Sequence, residues 1–460
     1  MNQIILGIDI GSTKICSVIA EIKQDGTPYI LGSGTHKADG IKKGSITNIE
    51  LASLAIRNSV NDAKRVADTN VDKAIISLSG AYTKSIRENA VVNVPSNEIG
   101  LKEINRVMQT AIYNAVIPEG HIVIHALPYE FRLDDQSYAE DPMGMSASRL
   151  EAFVHIVTAK KSALENLKRA VRESGIEIEN IVLSAYASSI AVLSNEEKEL
   201  GVVCIDMGGQ TCDLMIYSGY SMRYSDFLSV GSHNITIDLA TALNTHPSTA
   251  EQIKTEYGKL ILSDEDKTKA IKVPLMSSDT ATTNVNLEIV HAVLSARVEE
   301  TLQLLAKSIE KSGLKDKLGA GIALTGGMAN LDGMQEFASS IFRKPVRISK
   351  PTTMNGLFDG LKGAHSATAI GLILHGAGQH TNYEIDYDKK IHYKKSNIVT
   401  KNDDMSNIGL PKDTIQENTG NANIIHNDDF SQIRTSEKDK HSNPFTRFWN
   451  WVKQVVSQLF

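Results

Sequence analysis

The stretch GIDIGSTKI (7–15) puts a carboxylate, a glycine, two hydroxyls and an amine at the tip of an apolar run. Core packing gives no reason for Asp9, Gly11, Ser12, Thr13 and Lys14 to interrupt such a run. A polar hairpin turn is one explanation. A phosphate cradle is the other: the backbone N–H groups of a tight turn face an anion and Lys14 adds charge. The stretch GVVCIDMGGQTCDLMIY (201–217) repeats the device, with Asp206, Gly208, Gly209, Gln210 and Thr211 between two apolar runs. The two copies stand about 200 residues apart, a domain-sized interval. A third glycine turn, GIALTGGMANLDG (321–333), places Gly326 and Gly327 where a strand is expected to enter a helix. Each motif alone is weak; the three in this order point to a nucleotide cleft between two similar halves.

In such a cleft Asp9 and Asp206 would hold Mg²⁺ through its waters, because hard cations favour oxygen shells. Backbone N–H groups around Gly11–Thr13 and Gly208–Thr211 would grip the β- and γ-phosphates from opposite sides, with Lys14 neutralising charge. Glycine at 326 and 327 lets the backbone approach ribose and base. Glu251 and Lys254 share one helix face in PSTAEQIKTEYG and could hydrogen-bond the nucleoside; their spacing equally fits a surface ion pair of little energetic value.

The elements that must position these residues follow from periodicity. Residues 1 to about 84 alternate strands with a helix near 49–67, as expected of an α/β layer. From 85 to 160, SNEIGLKEINRVMQTAIYNAV reads as a helix, and HIVIHALPYEFRL and RLEAFVHIVTAKK read as strands, predicting a small inserted α+β subdomain. SALENLKRAVRESGIE is a helix stopping at Gly175. Residues 226–302 carry helices and a polar strand-bearing segment through NVNLEIV. HAVLSARVEETLQLLAKSIEKSGL predicts a long amphipathic helix, KPVRIS a strand and SATAIGLILHG an apolar helix.

The 460 residues allow two or more domains, and 41% hydrophobic with 22% charged residues describes an ordinary soluble chain. A net charge of −6 argues against a broad nucleic-acid footprint. Cys16, Cys204 and Cys212 sit in apolar runs with no metal-ligand spacing, as expected of buried reduced thiols in a cytosolic protein. The sequence shows neither a signal-peptide pattern nor an apolar run of roughly 20 residues that could span a bilayer.

From 381 to 442 the composition turns to Asn, Asp, Lys, Ser, Thr and His without periodicity. Such a segment cannot offset its ordering entropy by apolar burial, and a disordered linker is expected. It ends in NPFTRFWNWVKQVVSQLF (443–460), where Pro444 suits a first helical turn. On a helical wheel Phe445, Phe448, Trp449, Trp451, Val452, Val455, Val456, Leu459 and Phe460 fill one half; Thr446, Arg447, Asn450, Lys453, Gln454, Ser457 and Gln458 fill the other. A core-docking helix would carry the same stripe. The leash, the paired tryptophans and the cationic polar face favour a helix lying in the headgroup plane of a membrane. One short helix binds reversibly, so firm attachment calls for several acting together.

The two phosphate hairpins, AEQIKTEYG and LTGGMANLDG, in that order, resemble the superfamily of actin, heat-shock chaperones and sugar kinases. HALPYEFRLDDQ, DPMGMSASRLEAFVHIVT and ASSIAVLSNEEKELGVVCIDMGG resemble the FtsA family of bacterial cell-division proteins, from residue 3 to about 378 and again at the terminal helix. The resemblance implies an actin-like two-lobed α/β fold of duplicated ribonuclease H-like domains. Its parts are subdomain 1A (1–84 with about 161–198 and 365–380), inserted subdomain 1C (85–160), 2A (199–225 and 303–364) and 2B (226–302). It implies ATP and Mg²⁺ binding and self-assembly into protofilaments. It further implies capture of the FtsZ C-terminal tail through 226–302, recruitment of later division proteins, and a peripheral place on the cytoplasmic side of the inner membrane at the division site. The family's adenine-side motif falls on Glu251, Lys254, Gly326, Gly327 and Met328, and ARVEE offers Arg297 and Glu300 for the FtsZ tail.

Two departures matter. Gln210 stands where the superfamily commonly has a third glycine. No Glu or Gln lies between Ile181 and Leu193, where related ATPases carry a water-orienting side chain. Nucleotide binding with slow hydrolysis or none is therefore expected. The alternatives are an actin-like platform for pilus or secretion assembly and a sugar-kinase-type phosphotransferase.

Overall fold

Two five-stranded sheets with one and the same strand order carry the cleft. The computed structural model describes residues 3–134, 138–276 and 281–394. In the first sheet, Gln3–Ile10, Lys14–Ile22 and Pro28–Lys37 form an antiparallel meander, and Lys73–Leu78 and then Glu177–Leu183 add in parallel beside Gln3–Ile10. In the second, Val202–Met207, Cys212–Ser218 and Ser221–Leu228 form the meander, and Gly321–Thr325 and Val346–Ile348 extend it on the other side of the first strand. The sequence repeat is thus a structural duplication. Both polar interruptions fall at the tip of the first hairpin of their sheet, 11–13 and 208–211.

The helices Ser184–Val192 and Ala367–Gly376 are buried nearly all round, so neither gives a face to water. They pack against each other between the sheets, in one core with Ile5 and Val18 of the first sheet and Val202, Cys204, Met215 and Ala323 of the second. Burial of each of the larger of these, Ile5, Val18, Val202 and Met215, contributes roughly 1.5–3 kcal/mol, so this shared core holds the two hairpin tips together. The helix Ile49–Ala67 covers the outer face of the first sheet; Asn48 caps its start by accepting from the Leu51 N–H at 3.0 Å.

The expected insertion is a sheet of Thr83–Asn93, Arg149–Lys160 and His121–Leu133 with the helix Leu101–Asn114 laid on it. Two further strands join that sheet, Tyr383–Ile385 and Ile391–Tyr393. They correct the expected start of the linker at 381. The carboxylate of Glu384, wholly buried, meets His125 Nδ1 at 2.7 Å and His375 Nε2 at 3.2 Å and accepts from Tyr186 Oη at 3.1 Å. Tyr383 and Ile385 enter the apolar core of the insertion. The rest of the expected linker, from 395, and the expected helix at 443–460 lie outside the described residues.

Three smaller differences have local causes. NVNLEIV divides, because Asn286 ends the strand Thr282–Asn286 and caps the helix Leu287–Lys311 by accepting from Glu288 N at 3.0 Å. The long helix therefore begins four residues earlier than its sequence pattern. After Gly326 the chain makes only a 3₁₀ turn, Gly327–Asn330, before the helix Met334–Phe342. Cys16, Cys204 and Cys212 are buried free thiols, as expected.

Candidate nucleotide site

The hairpin tips face each other across a cavity of about 390 Å³. Its wall takes Asp9 and Gly11–Lys14 from the first tip, and Asp206, Gly208, Gly209 and Thr211 from the second. Gly326, Gly327, Ser79, Ser184, Ser232, Asp213, His365 and Thr368 also line it. The tips approach so closely that a Cβ on Gly209 would lie 2.1 Å from the Thr13 methyl. Gly326 has φ +86°, and a Cβ there would stand 2.4 Å from Asp206 Oδ1. Glycine at these two positions is a steric condition of the cavity.

Three carboxyl groups are sunk into this wall. Ser77 Oγ donates to Asp9 Oδ1 at 3.0 Å and Thr368 Oγ1 to Asp206 Oδ2 at 2.8 Å. The Gly80 N–H donates to Asp213 Oδ1 at 2.7 Å. Burial, and then repulsion by Asp206, raises Asp9 to about 6 against the opposing pull of Lys14. The same two causes raise Asp213 to about 7. Burial likewise raises Asp206, opposed by its hydrogen bond from Thr368. The cluster has more negative groups than Lys14 can balance, and an arriving polyphosphate would add more. A divalent cation bridging phosphate and carboxylates through its waters fits this all-oxygen donor set. Among the described residues no group of three His, Cys, Asp or Glu side chains is arranged to ligate a metal directly.

Asp213 was not among the residues singled out in the sequence, although a signal existed. It pairs with Asp206 across the second hairpin as Cys16 pairs with Asp9 across the first. A carboxylate on the buried register position of an apolar strand needs an explanation, and its neighbour supplies one. Ser184 opens the helix that follows Glu177–Leu183 and faces the cavity where a Glu or Gln was sought.

Other expected site residues stand off the cavity wall. Lys254, 6% exposed, donates from Nζ to Glu251 Oε2 at 2.7 Å, Thr236 Oγ1 at 3.0 Å and the Ser232 carbonyl at 3.3 Å, so it braces the wall residue Ser232 from behind. Met328 is buried in the core. Arg297 forks onto Asp238 at 2.6 and 3.1 Å and also bonds Glu300, tying the long helix to Ser232–Ala242.

The family model described as Cell division protein FtsA matches residues 203–371, and one described as SHS2 domain inserted in FTSA matches 80–158. The Cell division protein FtsA of Helicobacter pylori (strain ATCC 700392 / 26695) is 39% identical, covering 95% of this chain and 96% of its own.

The chain belongs to the FtsA family.

The FtsA of Pseudomonas aeruginosa is 33% identical over 82% of this chain and 89% of its own, and that of Escherichia coli (strain K12) 29% over 85% and 94%. Among solved structures, the PilM-PilN type IV pilus biogenesis complex is similar at TM-score 0.57, with 17% identity, 81% of this chain and 98% of that chain covered. MreB5 of Spiroplasma citri bound to ADP is similar at TM-score 0.51, with 14% identity, 82% and 97% covered. The actin-like fold with an SHS2 insertion is thereby established, as is a cell-division role for this FtsA-family chain.

Proposed function

We propose that the cleft binds ATP with Mg²⁺. We further propose that the chain assembles on the cytoplasmic face of the inner membrane at the division site, holds FtsZ filaments there by their C-terminal tails, and recruits later division proteins. The observation that carries the nucleotide reading is the pair of register-matched hairpin tips closing on a cavity lined by Asp9, Asp206 and Asp213. The Gly11 and Gly208 N–H groups close their own turns by donating to the Lys14 and Thr211 carbonyls, so the N–H groups of Ser12–Thr13 and Gly209–Thr211 bind the phosphates, and Lys14 offsets their charge. Asp9, Asp206 and Asp213 would hold Mg²⁺ through its waters, and the cation would supply charge to neutralise the polyphosphate. The backbone at Gly326 and Gly327 admits the nucleoside, with Lys254 and Glu251 stiffening that side; Met328 contributes packing. For the FtsZ tail, the Arg297 fork is already filled by Asp238 and Glu300, so this pair shapes the 226–302 surface and leaves the direct contact to its neighbours.

The family relationship supports the division role, and the wheel of Phe445–Phe460 supports a lipid contact. The purified chain is expected to carry FtsZ filaments upward with anionic vesicles in a density gradient when ATP and Mg²⁺ are present. Asp206→Ala should weaken ATP binding by at least tenfold in a calorimetric titration. FtsZ staying at the bottom of the gradient with wild-type chain and vesicles would reject the anchoring role, and an unchanged affinity in Asp206→Ala would reject the site.

A further inference from the structure

Ile41–Lys42 and Ser45–Ile46 form a minimal hairpin whose turn, Lys43-Gly44, has both residues in the left-handed region at φ 48° and 76°. That turn aims two successive N–H groups at the two phosphate tips. Gly44 N donates to Ser12 Oγ of the first tip at 2.8 Å. Lys43 N donates to Gln210 Oε1 of the second at 2.9 Å. Gly44 also lines the cavity beside Ser12, so the hairpin roofs its phosphate end. Because a backbone N–H can only donate, the orientation of the Gln210 amide is determined: its oxygen faces the roof. Gln210 itself is absent from the cavity wall.

We propose that Gln210 is a positioning residue, a clasp that ties the roof hairpin to the second lobe and slows release of the nucleotide beneath it. This inference rests on the cleft's being the nucleotide site. It gives a physical reason for a long amide side chain in a turn where glycine would serve the phosphate contact better. A glycine there could offer the N–H of the turn but no acceptor for the Lys43 amide. The cross-lobe bond would then vanish, leaving the roof attached to the first lobe alone, by Ser12 and by Ile41 and Ile46 in that lobe's core.

Gln210→Met keeps side-chain length and removes the acceptor; Gln210→Glu keeps an acceptor oxygen. Hydrogen exchange of the unliganded chain reads the roof directly. The 41–46 segment is expected to exchange about fivefold faster in Gln210→Met, the factor set by one neutral hydrogen bond, and at the wild-type rate in Gln210→Glu. Stopped-flow release of a fluorescent N-methylanthraniloyl-ATP should accelerate about fivefold in Gln210→Met with little change in its association rate. Wild-type exchange at 41–46 in Gln210→Met would overturn the clasp, as would unaltered release. Should wild-type chain bind no nucleotide, the reading of the cleft falls, and the exchange measurement alone still decides whether Gln210 holds the roof.

Discussion

At the scale of single residues, the cleft concentrates three acids that folding makes harder to ionise. Asp213, raised to about 7, and Asp9, raised to about 6, keep their protons in the folded chain well above the pH at which an unfolded chain releases them. The folded state therefore binds more protons than the unfolded state between about pH 4 and 7, and stability falls as pH rises through that window. At roughly 1.4 kcal/mol for each tenfold change in proton affinity, Asp213 alone accounts for a few kcal/mol. The nucleotide-free chain is expected to melt at a lower temperature at pH 7.5 than at pH 5.5, and Asp213→Asn should flatten that dependence and raise the melting temperature at pH 7.5. Mg²⁺ with ATP should restore wild-type stability at pH 7.5 but do little for the variant. A melting temperature that drops as steeply in Asp213→Asn as in wild type would show that Asp213 is not a group responsible, whereas a shallower residual drop is what Asp9 would leave. Ser184 belongs to the same scale. With a hydroxymethyl where a longer amide or acid would orient water, turnover on the order of 10⁻⁴–10⁻³ s⁻¹ is expected, as in nucleotide sites lacking a full catalytic set. Phosphate release at 1 s⁻¹ or faster would refute this. Asp9, Gly11 and Asp206 were legible because they break apolar runs; Ser184 was not, because a serine at a helix start has commonplace reasons to be there.

At the scale of elements, the strand Tyr383–Ile385 shows how a few side chains can order a segment whose composition suggests none. Three residues are too few for a periodicity to register, and their polar neighbours hid them in the linker. What fixes them is long-range: Glu384 meets His125 from the insertion and Tyr186 and His375 from the two central helices. Those partners hold its carboxyl well below the usual range despite burial. With its folded-state pKa depressed, Glu384 adds stability that is present above the unfolded carboxylate value and lost as pH falls through the native one. Removing one partner of a buried charged cluster costs roughly 3–5 kcal/mol. Glu384→Ala should therefore lower the melting temperature at pH 7, and limited proteolysis should open a new cut between 379 and 394. If the cleavage pattern and melting temperature match wild type, the tail strand is held by its backbone pairing alone. The paired sheets were easier to read: hairpin strands of eight and nine residues in one and six and seven in the other, broken at matched positions, declare themselves, whereas the 3₁₀ turn after Gly326 is set by the close fit of that glycine against Asp206 and Met207.

At the scale of the whole molecule, the described part is complete in its own cores. The aromatic residues best suited to an interface stand beyond it, at 445–460. Among the described residues no helix is long and apolar enough to cross a membrane; the proposed lipid contact rests on the apolar half of the terminal stretch. The chain has two tryptophans, Trp449 and Trp451, and both lie in it. Tryptophan emission of the intact protein therefore reports on the terminal stretch alone, with no substitution needed. Anionic vesicles should shift that emission to the blue and raise its intensity. Phe448→Glu with Trp451→Glu should abolish the residual shift from Trp449 while leaving ATP affinity within about twofold. A single amphipathic stretch of this length binds weakly, whereas copies linked in a filament would share one surface and gain about 10²–10⁴ in apparent affinity. The blue shift should accordingly appear at much lower lipid concentration under conditions that polymerise the chain. An emission maximum already blue without lipid, and unmoved by vesicles, would mean that the apolar stripe is buried in protein and that membrane attachment needs another element.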